Sequence, residues 1–256
     1  MTPKTINADQ AYKALCTEFY DLIRPLASGE EINFYKNILT NKNVLEVMCG
    51  SGRLLIPLLK AGLQVDGLDN SSEMLDKCRK KLKNENLNSI LYEQAIETIN
   101  FSQKYDALLI AMGSIQLLHP RDHAFEILSR LKKALTPNGQ IFVETFVPWE
   151  VLYKDNDHRE KEQEVESAPH TKIHLRSINQ VDKFHQLIIS KNFYDKIYYG
   201  KSVQTEQETL HINWYYPYEM IYFLERAGFK NIELHKVSFS QNPNGILYIA
   251  QKALPK

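Results

Sequence analysis

The chain has 256 residues, enough for one large domain or for one domain carrying a sizeable insertion. Its 31 lysines and arginines balance 31 aspartates and glutamates, which excludes a general electrostatic attraction to nucleic acid or to an anionic membrane. Cys16, Cys49 and Cys78 are odd in number and widely spaced, which argues against a disulfide framework and for a reducing compartment.

The first segment, MTPKTINADQ, lacks an apolar core of the signal-peptide kind, and no stretch reaches the ~18 apolar residues of a membrane span. A cytoplasmic protein that avoids membranes and nucleic acid is expected, with a small molecule as its partner. From 40 to 146, short apolar runs alternate with segments of helical period. NVLEV, LQVDGLD, ILYEQA, YDALLIAM and QIFVETF read as buried parallel strands. Between them, SSEMLDKCRKKL opens on a serine cap with acids in its first turn, and PRDHAFEILSRLKKAL carries apolar residues at 124, 127, 128, 131, 134 and 135 ahead of a TPNG turn. Strand, helix and strand repeated in this way predict right-handed crossovers and a doubly wound α/β sheet.

The segment from 147 to 216 breaks the alternation. EVLYKDNDHREKEQEVESAPH is acidic with little apolar periodicity and is expected to be a solvated loop or surface helix. The period then becomes two. LHINWYY would place Leu210, Ile212, Trp214 and Tyr216 on one face of a strand, with TKIHLR and FHQLIISKNFY as partners, giving about three antiparallel strands. A helix, PYEMIYFLERAGF, and two antiparallel strands, NIELHKVSF and GILYIAQK, complete a seven-stranded mixed sheet. The expected organisation is therefore an N-terminal helical cap over 1–40, a Rossmann-like domain over 41–146 and 217–256, and an inserted antiparallel β lid over 147–216.

Sheets of this kind bind ligands at the carboxyl ends of their strands. There, VLEVMCGSGR runs off the first core strand, and Gly50 and Gly52 would let a ligand approach main-chain N–H groups. A dinucleotide fingerprint would need a small residue where Leu55 stands, and a phosphate loop would need GK[ST] where Gly52, Arg53 and Leu54 stand. Asp69, at the end of LQVDGLD, is placed to present a carboxylate to a ribose diol.

Taken in order, VLEVMCGSGR and LDNSSEML resemble the first two motifs of the class I S-adenosylmethionine-dependent methyltransferases, and the resemblance extends over most of the chain from Phe19 to Lys252. It implies that the glycine turn of Gly50, Ser51 and Gly52, with Glu46, Cys49 and Arg53 around it, lies at the methionyl part of the cofactor. Asp69 would hold the ribose hydroxyls, and Asn70, Met74, Ala95 and Ile96 would lie about the adenine. Ala111 and Met112, in a stretch similar to the fourth motif, would flank the cofactor. EFYDLIRP resembles the Tyr-Asp helix of small-molecule N-methyltransferases, which would bring Tyr20 or Arg24 to the cofactor's carboxylate. Two positions depart from the pattern. Met48 fills a slot that is often glycine, and Ile96 one that is often aspartate.

The resemblance is closest to the glycine-, sarcosine- and amino-sugar-type N-methyltransferases. It implies a protein using S-adenosylmethionine, releasing S-adenosylhomocysteine and methylating a small-molecule acceptor at N or O, as a monomer or homodimer. An RNA or protein methyltransferase, or a binding module without turnover, is the alternative. Alignment and exclusion of water are what methyl transfer chiefly needs, so no general base is assigned. Trp149, Arg176, Trp214 and Tyr216 are candidates for contact with the acceptor. No metal is expected. His119 and His123 have helical spacing but lack a third ligand, and Tyr248 and Lys252 form a YxxxK on a strand instead of a helix.

Overall fold

The computed structural model describes residues 4–7, 12–24, 26–96, 104–153, 157–239 and 242–253. In chain order these form β1 (Lys4–Asn7), α1 (Ala14–Ile23), α2 (Gly29–Leu39), β2 (Asn43–Val47), α3 (Leu55–Lys60), β3 (Gln64–Asp69), α4 (Ser72–Asn84), β4 (Leu91–Glu93), β5 (Tyr105–Ile110) and α5 (Arg121–Leu131). There follow β6 (Leu135–Phe146), α6 (Trp149–Leu152), β7 (His158–Ala168), β8 (Thr171–Asp182), β9 (Leu187–Tyr198), β10 (Lys201–Asn213), α7 (Pro217–Arg226), β11 (Phe229–Phe239) and β12 (Asn242–Lys252). The chain divides into two compact units, Leu26–Val147 with Trp214–Lys256, and Met1–Pro25 with Pro148–Asn213. Among the described residues no helix is long and apolar enough to cross a membrane.

The first unit is built on a seven-stranded sheet in the order β11-β12-β6-β5-β2-β3-β4. The five strands from β6 to β4 are parallel, and β12 runs antiparallel to both β6 and β11. This is the doubly wound mixed sheet that the alternation predicts. Val44, Leu45, Val47, Leu108 and Leu109 are buried, so the central strands are apolar on both faces, as crossover helices require. α4 begins at a serine cap, Ser71 accepting a hydrogen bond from Met74 N at 3.1 Å, and buries Met74, Leu75, Cys78 and Leu82. α5 buries Ala124, Ile127, Leu128 and Leu131 at the predicted spacing. TPNG is not a free turn. It lies within β6 as a bulge, since Tyr105 faces Leu135 whereas Ala107 faces Gln140.

The second unit is a five-stranded sheet, β1-β10-β9-β8-β7, antiparallel except where β1 joins β10. The insertion supplies four strands, one more than expected. The extra one is β7, which the sequence suggests is loop or surface helix. Its glutamates at 160, 162 and 164 repeat every second residue on an exposed face and meet Arg176, His174 and Lys172 of β8, so charge alternation replaces the apolar alternation of a buried strand.

The expected cap over 1–40 is split by this division: α1 falls in the unit of the insertion and α2 in that of the seven-stranded sheet. Hydrogen bonds account for the first half. α1 has no side-chain cap of its own, and Glu206 of β10 accepts from Leu15 N at 2.8 Å and Cys16 N at 3.0 Å. Beside it, Glu208 accepts from Tyr12 N at 3.1 Å, Asn192 Nδ2 at 3.0 Å, Tyr194 Oη at 2.8 Å and Cys16 Sγ at 3.2 Å. Leu15, Cys16 and Phe19 then pack on Ile173, Leu175 and Tyr194. Each buried main-chain donor left unbonded costs ~1–3 kcal/mol. Glu206→Ala should therefore lower unfolding stability by ~2 kcal/mol or more and speed hydrogen exchange at the Leu15 and Cys16 amides, with Glu206→Gln intermediate. Unchanged exchange at both amides would show that Glu206 does not hold the helix.

Candidate functional site

The carboxyl ends of β2 and β3 meet at the turn Met48–Gly52. Three of its five residues have left-handed backbone: Met48 at φ 60°, Gly50 at φ 55° and Gly52 at φ 81°. The Met48 slot thus requires the conformation that glycine adopts freely, and this chain fills it with a side-chain-bearing residue at a cost of ~1–2 kcal/mol. The two glycines serve different ends. A Cβ at Gly50 would meet only Met74 Sδ, at 3.9 Å, so the turn is open there. A Cβ at Gly52 would lie 2.7 Å from Cys78 Sγ and 3.0 Å from Ile56 Cγ1, so Gly52 is required by the packing of the turn against α4.

Side chains brace this turn. Asp69 Oδ2 accepts from Gly50 N at 2.8 Å and Oδ1 from Ser71 N at 2.9 Å, which fixes the carboxylate between the two strand tips and leaves lone pairs on both oxygens. Burial raises the Asp69 carboxyl against the opposing pull of the Ser71, Gly50 and Asn70 N–H groups. Lys81 of α4 donates to Ser51 O at 3.0 Å and Ser51 Oγ at 3.2 Å, so Ser51 faces inward and is buried. Arg53 is buried too, its guanidinium in a two-pronged ion pair with Glu31 of α2, Nη1 to Oε2 being 3.1 Å. Arg53 is therefore a strut between the turn and α2, and the resemblance-based placement of its side chain among the cofactor contacts is not what these bonds describe.

Glu46 lies beneath the turn. Only 5% exposed, it has one carboxyl oxygen, Oε2, with no hydrogen-bond partner among the described residues. Burial pushes its pKa up to about 8, Arg53 opposing and Glu31 and Asp69 adding to the rise. Cys49 is buried beside it, with its thiol pushed up by burial and by Glu46, which suits packing and not nucleophilic chemistry.

The other edge of the site is the loop after β5. Ala111 is buried and Met112 is left-handed at φ 57°. Glu144, inside the apolar run of β6, holds this loop: Oε2 accepts from Met112 N at 3.0 Å and Tyr35 Oη at 2.8 Å, and Oε1 accepts from Asn242 Nδ2. Gln116 adds a two-way amide pair with Phe146, 2.8 Å and 3.0 Å. Asn70 is exposed at the tip of β3, Met74 is buried under Gly50, and Ala95 and Ile96 follow β4, with Ile96 buried. Glu46, Cys49, Gly50, Ser51, Gly52, Asp69, Asn70, Met74, Ala95, Ile96, Ala111 and Met112 all belong to this one unit.

The remaining candidates fall elsewhere. Tyr20, in edge contact with Tyr12, and exposed Arg24 lie on or just beyond α1, in the unit of the insertion. Trp149 is 39% exposed and stacks on Tyr153, while Arg176 is an exposed partner of Glu160. Trp214 and Tyr216 do not continue a strand face. β10 ends at Asn213, and Tyr216 and Pro217 serve instead as the N-cap and first residue of α7. Trp214 is buried in the seven-stranded unit, its carbonyl accepting from Arg121 Nη1 at 3.2 Å, and Tyr216 caps α7 through Glu219. The sequence reading missed Glu31, Lys81, Glu144 and Gln116. A glutamate within the apolar run QIFVETF is the signal that could have found Glu144.

Five parallel strands extended by β12 and β11, with β12 antiparallel, a left-handed glycine turn after β2 and an acid at the tip of β3 together match the Rossmann-like methyltransferase fold. The residues present fit S-adenosylmethionine: the turn is open at Gly50, Asp69 keeps free lone pairs, and Glu46 has an unsatisfied oxygen. Residues 44–139 match a family model described as a methyltransferase domain. The putative methyltransferase YqeM of Bacillus subtilis (strain 168) is 23% identical over 124 residues, 48% of this chain and 50% of that protein. The ubiquinone biosynthesis O-methyltransferase of Pasteurella multocida (strain Pm70) is 35% identical over 118 residues, 43% of this chain and 48% of that one. The chain thus spans about half the length of the curated relatives it matches. The crystal structure of the sugar N-methyltransferase KedS8 from Streptoalloteichus sp ATCC 53650 superposes with a TM-score of 0.77 over 99% of this chain and 98% of that one, at 13% identity, a likeness of fold. Residues 44–139 are thus a methyltransferase domain, in a chain with the Rossmann-like methyltransferase fold.

Two predictions follow from the turn. Gly52→Ala should destabilise the fold well beyond Gly50→Ala, and Cys78→Ala added to it should restore part of the loss; equal melting points for the two single variants would contradict the packing role. The second concerns pH. The folded protein holds Glu46 protonated to a higher pH than the unfolded chain does, so its stabilising share is complete below about pH 4.5 and is lost as pH rises through about 8. The stability of Glu46→Gln relative to the parent should accordingly rise between pH 5 and pH 8.5 in urea unfolding, whereas a flat difference would mean that Glu46 titrates normally.

Proposed function

We propose that the protein transfers the methyl group of S-adenosylmethionine to a small-molecule acceptor, at nitrogen or oxygen. The observation that carries this reading is the pairing of the open turn at Gly50 with the Asp69 carboxylate fixed at its side. S-adenosylmethionine, when bound, supplies an activated sulfonium methyl. Asp69 would accept hydrogen bonds from the ribose hydroxyls through the lone pairs that Gly50 N and Ser71 N leave free. Met74 and Ile96 would give the adenine an apolar seat, and Ala111 and Met112, pinned by Glu144, would close the other side. The acceptor class is supported by the resemblance to the small-molecule N-methyltransferases, by the O-methyltransferase relative and by the fold of the sugar N-methyltransferase. The balanced charge of the chain favours a small acceptor over RNA.

Calorimetric titration tests the reading. S-adenosylhomocysteine should bind, NADH should bind far more weakly, and Asp69→Ala should weaken S-adenosylhomocysteine at least tenfold, since hydrogen bonds to a carboxylate are worth ~1.5–3 kcal/mol each. Methyl transfer to panels of amines and phenols from labelled cofactor would then sort N from O. Tighter binding of NADH than of S-adenosylhomocysteine would overturn the assignment, and binding without transfer to any acceptor, peptide and RNA included, would favour a module without turnover.

A further inference from the structure

Four ionisable groups crowd the underside of the glycine turn, and their charges do not balance. Glu31 approaches from α2, Glu46 from β2, Asp69 from the tip of β3 and Arg53 from the turn itself. Arg53, the one cation of the four, gives both prongs to Glu31, and the nearby Lys81 of α4 donates to Ser51 O and Oγ on the turn. Asp69 draws on the Gly50 and Ser71 N–H groups. Among the described residues Glu46 is left with Leu55 N–H near its carboxyl, one oxygen without a hydrogen-bond partner, and only the field of an Arg53 already paired with Glu31. The other groups around it are no help. Tyr35 of α2 gives its proton to Glu144, and Cys49 and Cys78 are thiols whose ionisation burial opposes. Opposite Glu46 on β3 stands Gly67, which offers no side chain. An ionised carboxylate that is buried without a counter-charge is strongly disfavoured and takes up a proton instead.

We infer that Glu46 is the charge-sensing residue of this site, neutral in the free protein and deprotonated when a cationic ligand settles on the glycine turn. The inference rests on the reading that the ligand is S-adenosylmethionine, which brings a sulfonium and an α-ammonium group. The step balances simply. The O–H bond of the Glu46 carboxyl breaks, its electron pair stays on the carboxylate, the proton passes to the buffer, and the ligand's positive charge replaces it. Affinity for a cationic ligand then depends on pH, whereas affinity for a neutral ligand of the same shape does not. Because linkage is reciprocal, each proton released per ligand corresponds to a tenfold fall in affinity for each unit by which the pH drops. Glu46 thereby selects for charge where Asp69 would select for the ribose.

The test is proton counting by calorimetry at pH 6.5, in buffers of differing ionisation enthalpy. At that pH the ligand's own amino group is already protonated and contributes little. S-adenosylmethionine should release close to one proton per molecule bound at pH 6.5 and far less at pH 9, and its Kd should fall about tenfold between pH 5.5 and 6.5. S-adenosylhomocysteine, which keeps only the ammonium, shows which cation is sensed: release with both ligands assigns the ammonium, and release with S-adenosylmethionine alone assigns the sulfonium. 5′-Methylthioadenosine carries neither and should bind without release. Glu46→Gln should bind with no release at either pH. Should that variant bind nothing, infrared difference spectra of the parent protein give the answer directly, since the band of a buried protonated carboxyl should vanish on addition of S-adenosylmethionine. Binding of S-adenosylmethionine without proton release, equal release from Glu46→Gln, or an unchanged carboxyl band would each overturn the role of Glu46 and leave the proposed function standing. Failure of every one of these ligands to bind would overturn the proposed function itself.

Discussion

The structure of the site depends on one constraint: the chain must leave β2 through a turn with three left-handed residues in five, Met48, Gly50 and Gly52, and still pack against α4. Such a backbone lacks the repeating hydrogen bonds of a helix or strand, although Gly52 N donates to Cys49 O at 3.0 Å. Outside groups hold it instead. Asp69 takes the Gly50 N–H, Leu68 O takes the Cys49 N–H at 3.0 Å, Lys81 holds the Ser51 carbonyl, and the Arg53 carbonyl receives Ala27 N at 3.1 Å. The turn is thus defined by α2, β3 and α4 together. A ligand meeting it finds a backbone already in place, which removes part of the ordering cost of binding.

The same device recurs at two further places where the main chain is irregular or unbonded. Glu144 takes the N–H of left-handed Met112, and Glu206 takes the first free N–H groups of α1. In each case hydrogen-bond donors converge on a buried carboxylate within a strand, main-chain N–H groups for Glu206, and one N–H with the Tyr35 hydroxyl and the Asn242 amide for Glu144. Charge-assisted hydrogen bonds are worth roughly twice a neutral one, which is what makes a buried acid tolerable there. Glu46 differs from these acids in lacking such a set of donors. That contrast, and not its burial, distinguishes an acid that builds the fold from one that answers to a ligand.

How much of this was legible follows from the range of the forces. The parallel strands, the serine cap of α4 and the apolar stripe of α5 are set by residues within a few positions of one another, and periodicity reads them directly. The glycine turn was legible as a motif, and Met48 as its exception, although only the backbone shows that Met48 adopts the conformation a glycine would. β7 is not legible as a strand from apolar periodicity, because its alternation is written in charge, at Glu160, Glu162 and Glu164. The apolar alternation runs on past Asn213 to Trp214 and Tyr216, whereas the strand stops at Asn213, four residues before the proline that opens α7. Arg53 with Glu31 and Glu144 with Tyr35 were beyond reach for a simpler reason: the partners are 22 and 109 residues apart, and no local pattern links them.

A hollow in the surface does not by itself mark the functional edge of the sheet. Two surface hollows of about 450 and 500 Å³ lie around the amino ends of β2, β3 and β5, lined by residues such as Asn43, Gln64, Asp66, Lys104 and Asp106. Their acids are already engaged within the fold. Asp66 accepts from Ile90 N at 2.9 Å and Tyr105 Oη at 3.0 Å, and Asp106 from Asn43 N at 3.1 Å and Thr136 Oγ1 at 3.2 Å. At the carboxyl ends the accounting differs, because the crossover chain turns away from each parallel strand and leaves backbone and side-chain groups facing a shared edge. There Gly50 is open, Asp69 has capacity to spare, and one oxygen of Glu46 has no partner among the described residues. A ligand gains affinity where it satisfies groups that the fold leaves wanting, and it gains little where the protein has satisfied them already. By that criterion the functional edge of this sheet is its carboxyl edge, whatever the size of the hollows at the other.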